Sequence, residues 1–170
     1  DYPSSEKFSH NNGNVATELY DEGIYVGYRY FDTFEVPVRY GFGYGLSYTD
    51  FEITGCALKA VSAEKIRVTA TVRNTGNVSG KEVVQVYASL PGGILEKEAH
   101  RLAAYAKTNE LKPGEAQEVT MEVKMDGLTS YDEKRAAWIL ESGFYGIWVG
   151  NSLASAKLCG GIKLDQEVIR

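Results

Sequence analysis

"EKIRVTATVRNTG", residues 64–76, is the stretch whose reading decides the fold. Ile66, Val68, Ala70 and Val72 alternate with Arg67, Thr69, Thr71 and Arg73, the period of a strand with one buried and one wet face. "QEVTMEVKM", residues 117–125, repeats it, with Val119, Met121, Val123 and Met125 facing inward and Thr120, Glu122 and Lys124 outward. Further strand candidates begin at Phe51, Lys81, Arg101, Arg135, Gly143 and Ala156, separated by the turn signals "NTGNVSG", "LPGG", "LKPGE" and "ESG". Short strands at this spacing, without helical periodicity, predict a mainly β fold, an antiparallel β-sandwich of about 115 residues. One short helical turn is expected in "MDGLTSYD", with Asp126 as its cap.

The 170 residues are 44% hydrophobic and 24% charged, with a net charge of -5 spread over short alternations. This is the composition of a soluble globular protein, and it argues against a nucleic-acid partner. No run reaches the roughly 18 apolar residues of a membrane span, so no membrane partner is expected. "DYPSSEKFSH" lacks the basic start and apolar segment of a signal peptide, and the chain reads as cut from something longer. Cys56 and Cys159 lack metal-site spacing and are read as two ordinary thiols, a bridge between the first and last strands being the alternative. Without a disulfide framework the reading leans toward the cytoplasm. His10 and His100 stand alone, and no metal or cofactor is expected.

The first 48 residues break the strand rhythm. They carry Tyr20, Tyr25, Tyr28, Tyr30, Tyr40, Tyr44 and Tyr48 with Phe31, Phe34 and Phe42, but few regularly spaced aliphatics. Such rings pack on something else, so residues 1–48 are taken as the tail of a second domain lying against a sandwich at 49–170. Within "RYGFGYGLSYTDF", residues 39–51, a phosphate-loop reading of Gly41, Gly43 and Gly45 fails because no helix follows to receive an anion. The glycines instead allow close backbone passage or positive φ, while Phe42, Tyr44, Leu46 and Tyr48 insert between two bodies; a sugar-stacking platform is the rival use of these rings. Of the carboxylates, Asp21 with Glu22 and Asp50 with Glu52 are unsuited to glycoside cleavage, which needs two across a pocket. Arg29 and Asp32 are read as an ion pair. No Ser/His/acid set or nucleophile elbow is visible. Asn77-Val78-Ser79 matches a glycosylation sequon at near-chance frequency.

"YDEGIYVGYRYFDTF" (20–34) followed by "RYGFGYGLSYTDFE" (39–52) resembles the end of the α/β sandwich domain of glycoside hydrolase family 3 and its crossing into the next domain. "VRNTGNVSGKEVVQVYASLP" and "RLAAYAKTNELKPGEAQEVTMEV" resemble that family's immunoglobulin/fibronectin type III-like module. Relatives usually carry Pro where Gly41 stands. The resemblance implies a parent that is a retaining β-glycosidase, β-glucosidase-like, acting on β-glucosides or oligosaccharides, with an Asp nucleophile in a barrel and an acid/base elsewhere. The nucleophile's Ser-Asp-Trp type stretch has no counterpart, since Trp138 and Trp148 follow Ala137 and Ile147, so no catalytic, metal or cofactor-binding residue is assigned. The implied partners are the other domains of the same enzyme, the barrel and the α/β sandwich. "LTSYDEKRAAWILESGFYGIWVGNS" is similar to the domain-permuted branch, in which "KLDQEVIR" would lead into the barrel. The expected role is positioning the catalytic domains. The alternatives are a carbohydrate-binding or protein-interaction module using the exposed face of the sandwich or the loop 89–101, which is otherwise read as a mobile surface loop, and a homodimer interface of the kind relatives often form.

Overall fold

The computed structural model describes residues 22–169. A six-residue helix, α1 (Tyr28–Thr33), precedes β1 (Phe51–Ser62), β2 (Lys65–Asn74), β3 (Val83–Ser89), β4 (Arg101–Lys107) and β5 (Ala116–Lys124). After a 3-10 turn at Met125–Leu128 come β6 (Ser130–Asp132), β7 (Ala137–Leu140), β8 (Gly143–Gly150), β9 (Lys157–Leu164) and β10 (Val168–Ile169). A sheet ordered β1-β2-β5 faces a sheet ordered β4-β3-β8-β9, and β10-β7-β6 form a small third sheet. All the pairings are antiparallel. The alternating residues form the core as expected: Ile66, Val68, Ala70 and Val72 with Val119, Met121 and Val123 pack against Val84, Val86, Ala88, Tyr145, Ile147 and Val149. Each large apolar side chain so buried contributes about 1.5–3 kcal/mol.

Two polar hubs hold the ends of the sandwich. Asn74 is fully buried with every side-chain position used. Its Nδ2 donates to the carbonyls of Val78 and Leu111 at 2.8 Å each, and its Oδ1 accepts from Thr49 Oγ1 at 2.8 Å and Gly76 N–H at 3.0 Å. One side chain thus ties the start of β1, the β2–β3 turn and the β4–β5 loop together. At the other hub, the buried Tyr145 hydroxyl donates to the Glu141 carbonyl at 2.8 Å, the tyrosine corner of immunoglobulin-type sandwiches. Burial and the nearby Glu141 charge push that phenol up to about 12.

Two expectations need correction. Asp126 does not cap the 3-10 turn from outside. It lies within it, and its backbone carbonyl accepts from Thr129 N–H and Oγ1. Cys56 and Cys159, expected as thiols, are joined in a disulfide with Cα atoms 5.8 Å apart, which removes the basis for the lean toward a reducing compartment. The reason lies in two bulges. The β1–β2 register shifts between Thr54 and Ala57, around Gly55 at φ 61°, so the buried phase moves from Ile53 to Cys56 and Leu58. In β9, Cys159 is the extra residue between Leu158 and Gly160. A bulge re-aims a side chain, and here one on each outer strand turns a sulfur toward the gap between sheets.

Candidate functional site: the covered face of the four-stranded sheet

β3 is buried on both faces. Val84, Val86 and Ala88 enter the core, while Gln85 and Tyr87 point the other way and are buried as well, at 8% and 0% exposure. The cover comes from residues 28–43. The Tyr28 and Phe42 rings stack with centroids 4.2 Å apart and both meet Tyr87 edge-on at 6.4 Å. The Tyr87 hydroxyl donates to Gln85 Oε1, and Gln85 Nε2 donates to the Asn151 carbonyl at 2.7 Å. Leu153 N–H donates to the Phe42 carbonyl at 2.9 Å. Gly43 has φ 81°, and a Cβ there would fall 2.4 Å from Gln85 Oε1. Glycine is therefore required twice over, for its φ and for its close approach, as the sequence suggested.

α1 binds the strip Glu98–Leu102 with one face. Tyr28, Arg29, Asp32 and Thr33 fall at positions i, i+1, i+4 and i+5, which share a side of a helix. Leu102 N–H donates to the Tyr28 hydroxyl at 2.8 Å, next to the β4 bulge that interrupts pairing between Val86 and Tyr87. Ala99 N–H donates to Thr33 Oγ1 at 2.9 Å, and Asp32 Oδ2 lies 2.9 Å from His100 Nδ1. Arg29 Nε is 3.5 Å from Glu98 Oε1. The expected Arg29–Asp32 pairing is thus replaced by two contacts to the strip, because both side chains face the sheet rather than each other. His100 does not stand alone either: its ring also meets Trp148 edge-on at 5.2 Å, and Trp148 Nε1 donates to Ser89 Oγ at 3.0 Å. His10 and Asp21 lie outside the described residues.

The loop 89–101, expected to be mobile, is pinned by two carboxylates. Glu141 accepts from Ile94 N–H at 2.7 Å, Leu95 N–H at 3.2 Å and Lys97 Nζ. Glu98, 2% exposed, accepts from Arg101 Nε at 2.7 Å and Arg101 Nη2 at 2.9 Å. Burial pushes both carboxyls up. The opposing hydrogen bonds and charges of Arg101 and Arg29 at Glu98, and of Lys97 with two backbone N–H groups at Glu141, outweigh it and hold both below the usual value of 4.5. A folded-state value below the unfolded one stabilises above the unfolded value and is lost as pH falls through the folded one. Stability is therefore expected to be flat near neutral pH and to fall below about pH 4.5. Glu141→Gln should shallow that slope in urea titrations run between about pH 3 and 6.

Beyond the covered rings the segment turns outward. Leu46 is 91% exposed and Tyr48 fully so, with Tyr44 and Tyr40 exposed beside them. Tyr40 and Tyr44 stack at 5.2 Å, and the Arg39 guanidinium lies 5.6 Å from the Tyr40 ring centroid. A cleft of about 560 Å³, within the ordinary ligand-site range, opens beside α1 between Tyr28, Phe31, Tyr40, Phe42 and Leu153, with Asp32 and Glu35 at its edge. Asp32 is committed to His100. Asp50 and Glu52 are exposed at the start of β1 and do not line this cleft. Among the described residues no three His, Cys, Asp or Glu side chains come together as a metal site requires. A composition signal for the cover was present: "VVQVYAS" has only Gln85 and a terminal Ser89 as polar residues, too few for a wet outer face.

A three-plus-four antiparallel sandwich with a tyrosine corner, one outer face sealed by a ring-bearing strap, defines a fibronectin type III-like module. The fibronectin type III-like domain profile matches residues 82–153. Over 175 aligned residues the chain is 44% identical to a β-glucosidase of Ruminococcus albus, covering 99% of this chain and 18% of that protein. It is 41% identical to an exo-α-(1→6)-L-arabinopyranosidase of Bifidobacterium breve, covering 89% and 20%. The solved GH3 β-glucosidase of Bifidobacterium adolescentis superposes with a TM-score of 0.87 at 35% identity, over 96% of this chain and 24% of that one. The chain belongs to glycoside hydrolase family 3, in its fibronectin type III-like region, and spans about a fifth of the length of the curated relatives it matches.

Proposed function

We propose that this chain is a non-catalytic, structural portion of a retaining β-glycosidase of the β-glucosidase type. In this reading residues 1–48 complete an α/β domain, 49–170 form the fibronectin type III-like domain, and together they position the catalytic domains. The observation that supports it is the two-sidedness of the ring segment. Tyr28 and Phe42 are fastened to Tyr87, whereas Tyr40, Tyr44, Leu46 and Tyr48 present a contiguous stretch of sequence with exposed apolar side chains. Exposed apolar groups so concentrated mark an interaction surface, and a hydrophobic interface suppresses the domain motion otherwise expected. Misplacing a catalytic group by about 1 Å costs on the order of 100-fold in rate, so a rigid seam has catalytic value.

The test has two arms. This chain by itself is expected not to hydrolyse an aryl β-glucoside. In a full-length β-glucosidase carrying these residues, replacing Tyr44, Leu46 and Tyr48 by serine should lower kcat/KM by at least about tenfold, while the isolated chain bearing the same changes keeps its melting temperature. Turnover by the chain alone, or full activity of the triple variant, would overturn the reading.

A further inference from the structure

A second cleft, of about 860 Å³, lies between the loop 89–101, the 3-10 turn and the small sheet, near the upper end of the range typical of small-molecule sites. One wall is an aromatic pair. Tyr131 and Trp138 sit opposite each other in the β6–β7 register, with ring centroids 5.3 Å apart at 61°. They are 48% and 53% exposed, although their strand neighbours Ser130 and Ile139 are buried. The pair stabilises the β6–β7 pairing as a cross-strand aromatic contact, and the rings' remaining surface opens to the cleft.

The remaining lining mixes Ile24, Ile94 and Leu95 with charged groups, three of whose carboxylates are paired. Glu98 is held by Arg101 and Arg29, Asp132 by Arg135, and Glu96 bonds the Tyr25 side chain. A free anion would meet these carboxylates and a free cation the guanidinium groups, so neither fits well. Paired charges bordering a half-exposed ring match a neutral ligand with an apolar C–H face and hydroxyls that both donate and accept. Ser130 also lines the cleft, but its buried hydroxyl, without a hydrogen-bond partner among the described residues, lies on the face of β6 opposite Tyr131 and is no part of the wall.

We propose that this cleft is a saccharide-binding subsite in which Trp138 and Tyr131 form the stacking wall and the exposed Glu133 and Lys134 meet the hydroxyl edge. It is separate from the ring segment of residues 40–48 and does not depend on that segment joining two domains; only the choice of β-linked probes rests on the proposed function.

Isothermal titration of the 170-residue chain with cellohexaose, laminarihexaose and maltohexaose tests it. Saturable binding of at least one β-linked probe is expected. Trp138→Ala should weaken it at least about tenfold, in line with the energy of one ring stack. Trp138→Phe, which keeps a ring, should retain most of the affinity, and Tyr105→Ala, an exposed ring on β4 outside the cleft, should leave it unchanged. Absence of saturable heat with all three probes, or an equal loss from Tyr105→Ala, overturns the subsite and leaves the scaffold reading standing. Trp138-dependent binding of maltohexaose alone keeps the subsite but counts against the β-glycosidase reading.

Discussion

Breaking the Cys56–Cys159 bridge is expected to lower the unfolding free energy by about 4 kcal/mol. The bond spans 103 residues, almost the whole sandwich. Closing a loop of that size removes chain entropy from the unfolded state worth about 4.7 kcal/mol, of which native-state accommodation subtracts a part. The folded state should barely change, because β1 and β9 keep their own sheet partners and Leu58 still packs over Gly160. For a chain of this length the loss corresponds to a melting temperature lower by about 12 °C. Calorimetry with and without reductant, and on the Cys56→Ser/Cys159→Ser double variant, reads it directly. An unchanged melting temperature after complete reduction would show that the packing of β1 against β9 alone holds that side of the sandwich.

Asn74→Ala is expected to cost about 3 kcal/mol without touching the apolar core. The substitution strips the donor from two carbonyls, Val78 and Leu111, and the acceptor from Thr49 Oγ1 and Gly76 N–H. A buried polar group left unpaired costs about 1–3 kcal/mol, and several here lie near enough to the surface for water to recover part of it. Asn74→Asp should be about as harmful, since it keeps the two accepted bonds but sets a carboxylate against two carbonyl oxygens. A lower urea midpoint with an unchanged slope identifies lost native stability; a loss under about 1 kcal/mol would mean that the three segments are held by something other than this residue.

Much of the molecule was legible from residue order. The eight expected strands are present as β1 to β5 and β7 to β9, because a half-buried strand writes its environment into every second residue. β6 and β10, with three and two residues, are too short to carry a period. α1 was missed because a six-residue helix shows hardly two turns of pattern, and its binding face is polar. The family was legible because two specific strings, "GYRYFD" and "FGYGLSY", lie in order ahead of the strand array.

The partners of individual side chains were not legible. Asp32 and Arg29 are adjacent on α1, yet they bind His100 and Glu98, more than 60 residues away. Loop 89–101 has the composition of a surface loop, but Glu141 and the Glu98–Arg101 pair fasten it. The cleft beside Trp138 combines residues from four separate stretches between Gly23 and Trp138.

Alternation, turn chemistry and two family-specific strings therefore determined from the sequence alone that this is an antiparallel fibronectin type III-like sandwich with a ring-rich segment before it. Only the tertiary structure decided that β3 is sealed on both faces, that two bulges bring Cys56 to Cys159, and that an exposed aromatic pair borders a cleft of mixed lining. The division has a physical cause: a repeating pattern reports the average solvent exposure of a strand, whereas a disulfide, a buried amide hub or a binding wall depends on distances between residues that folding alone brings together.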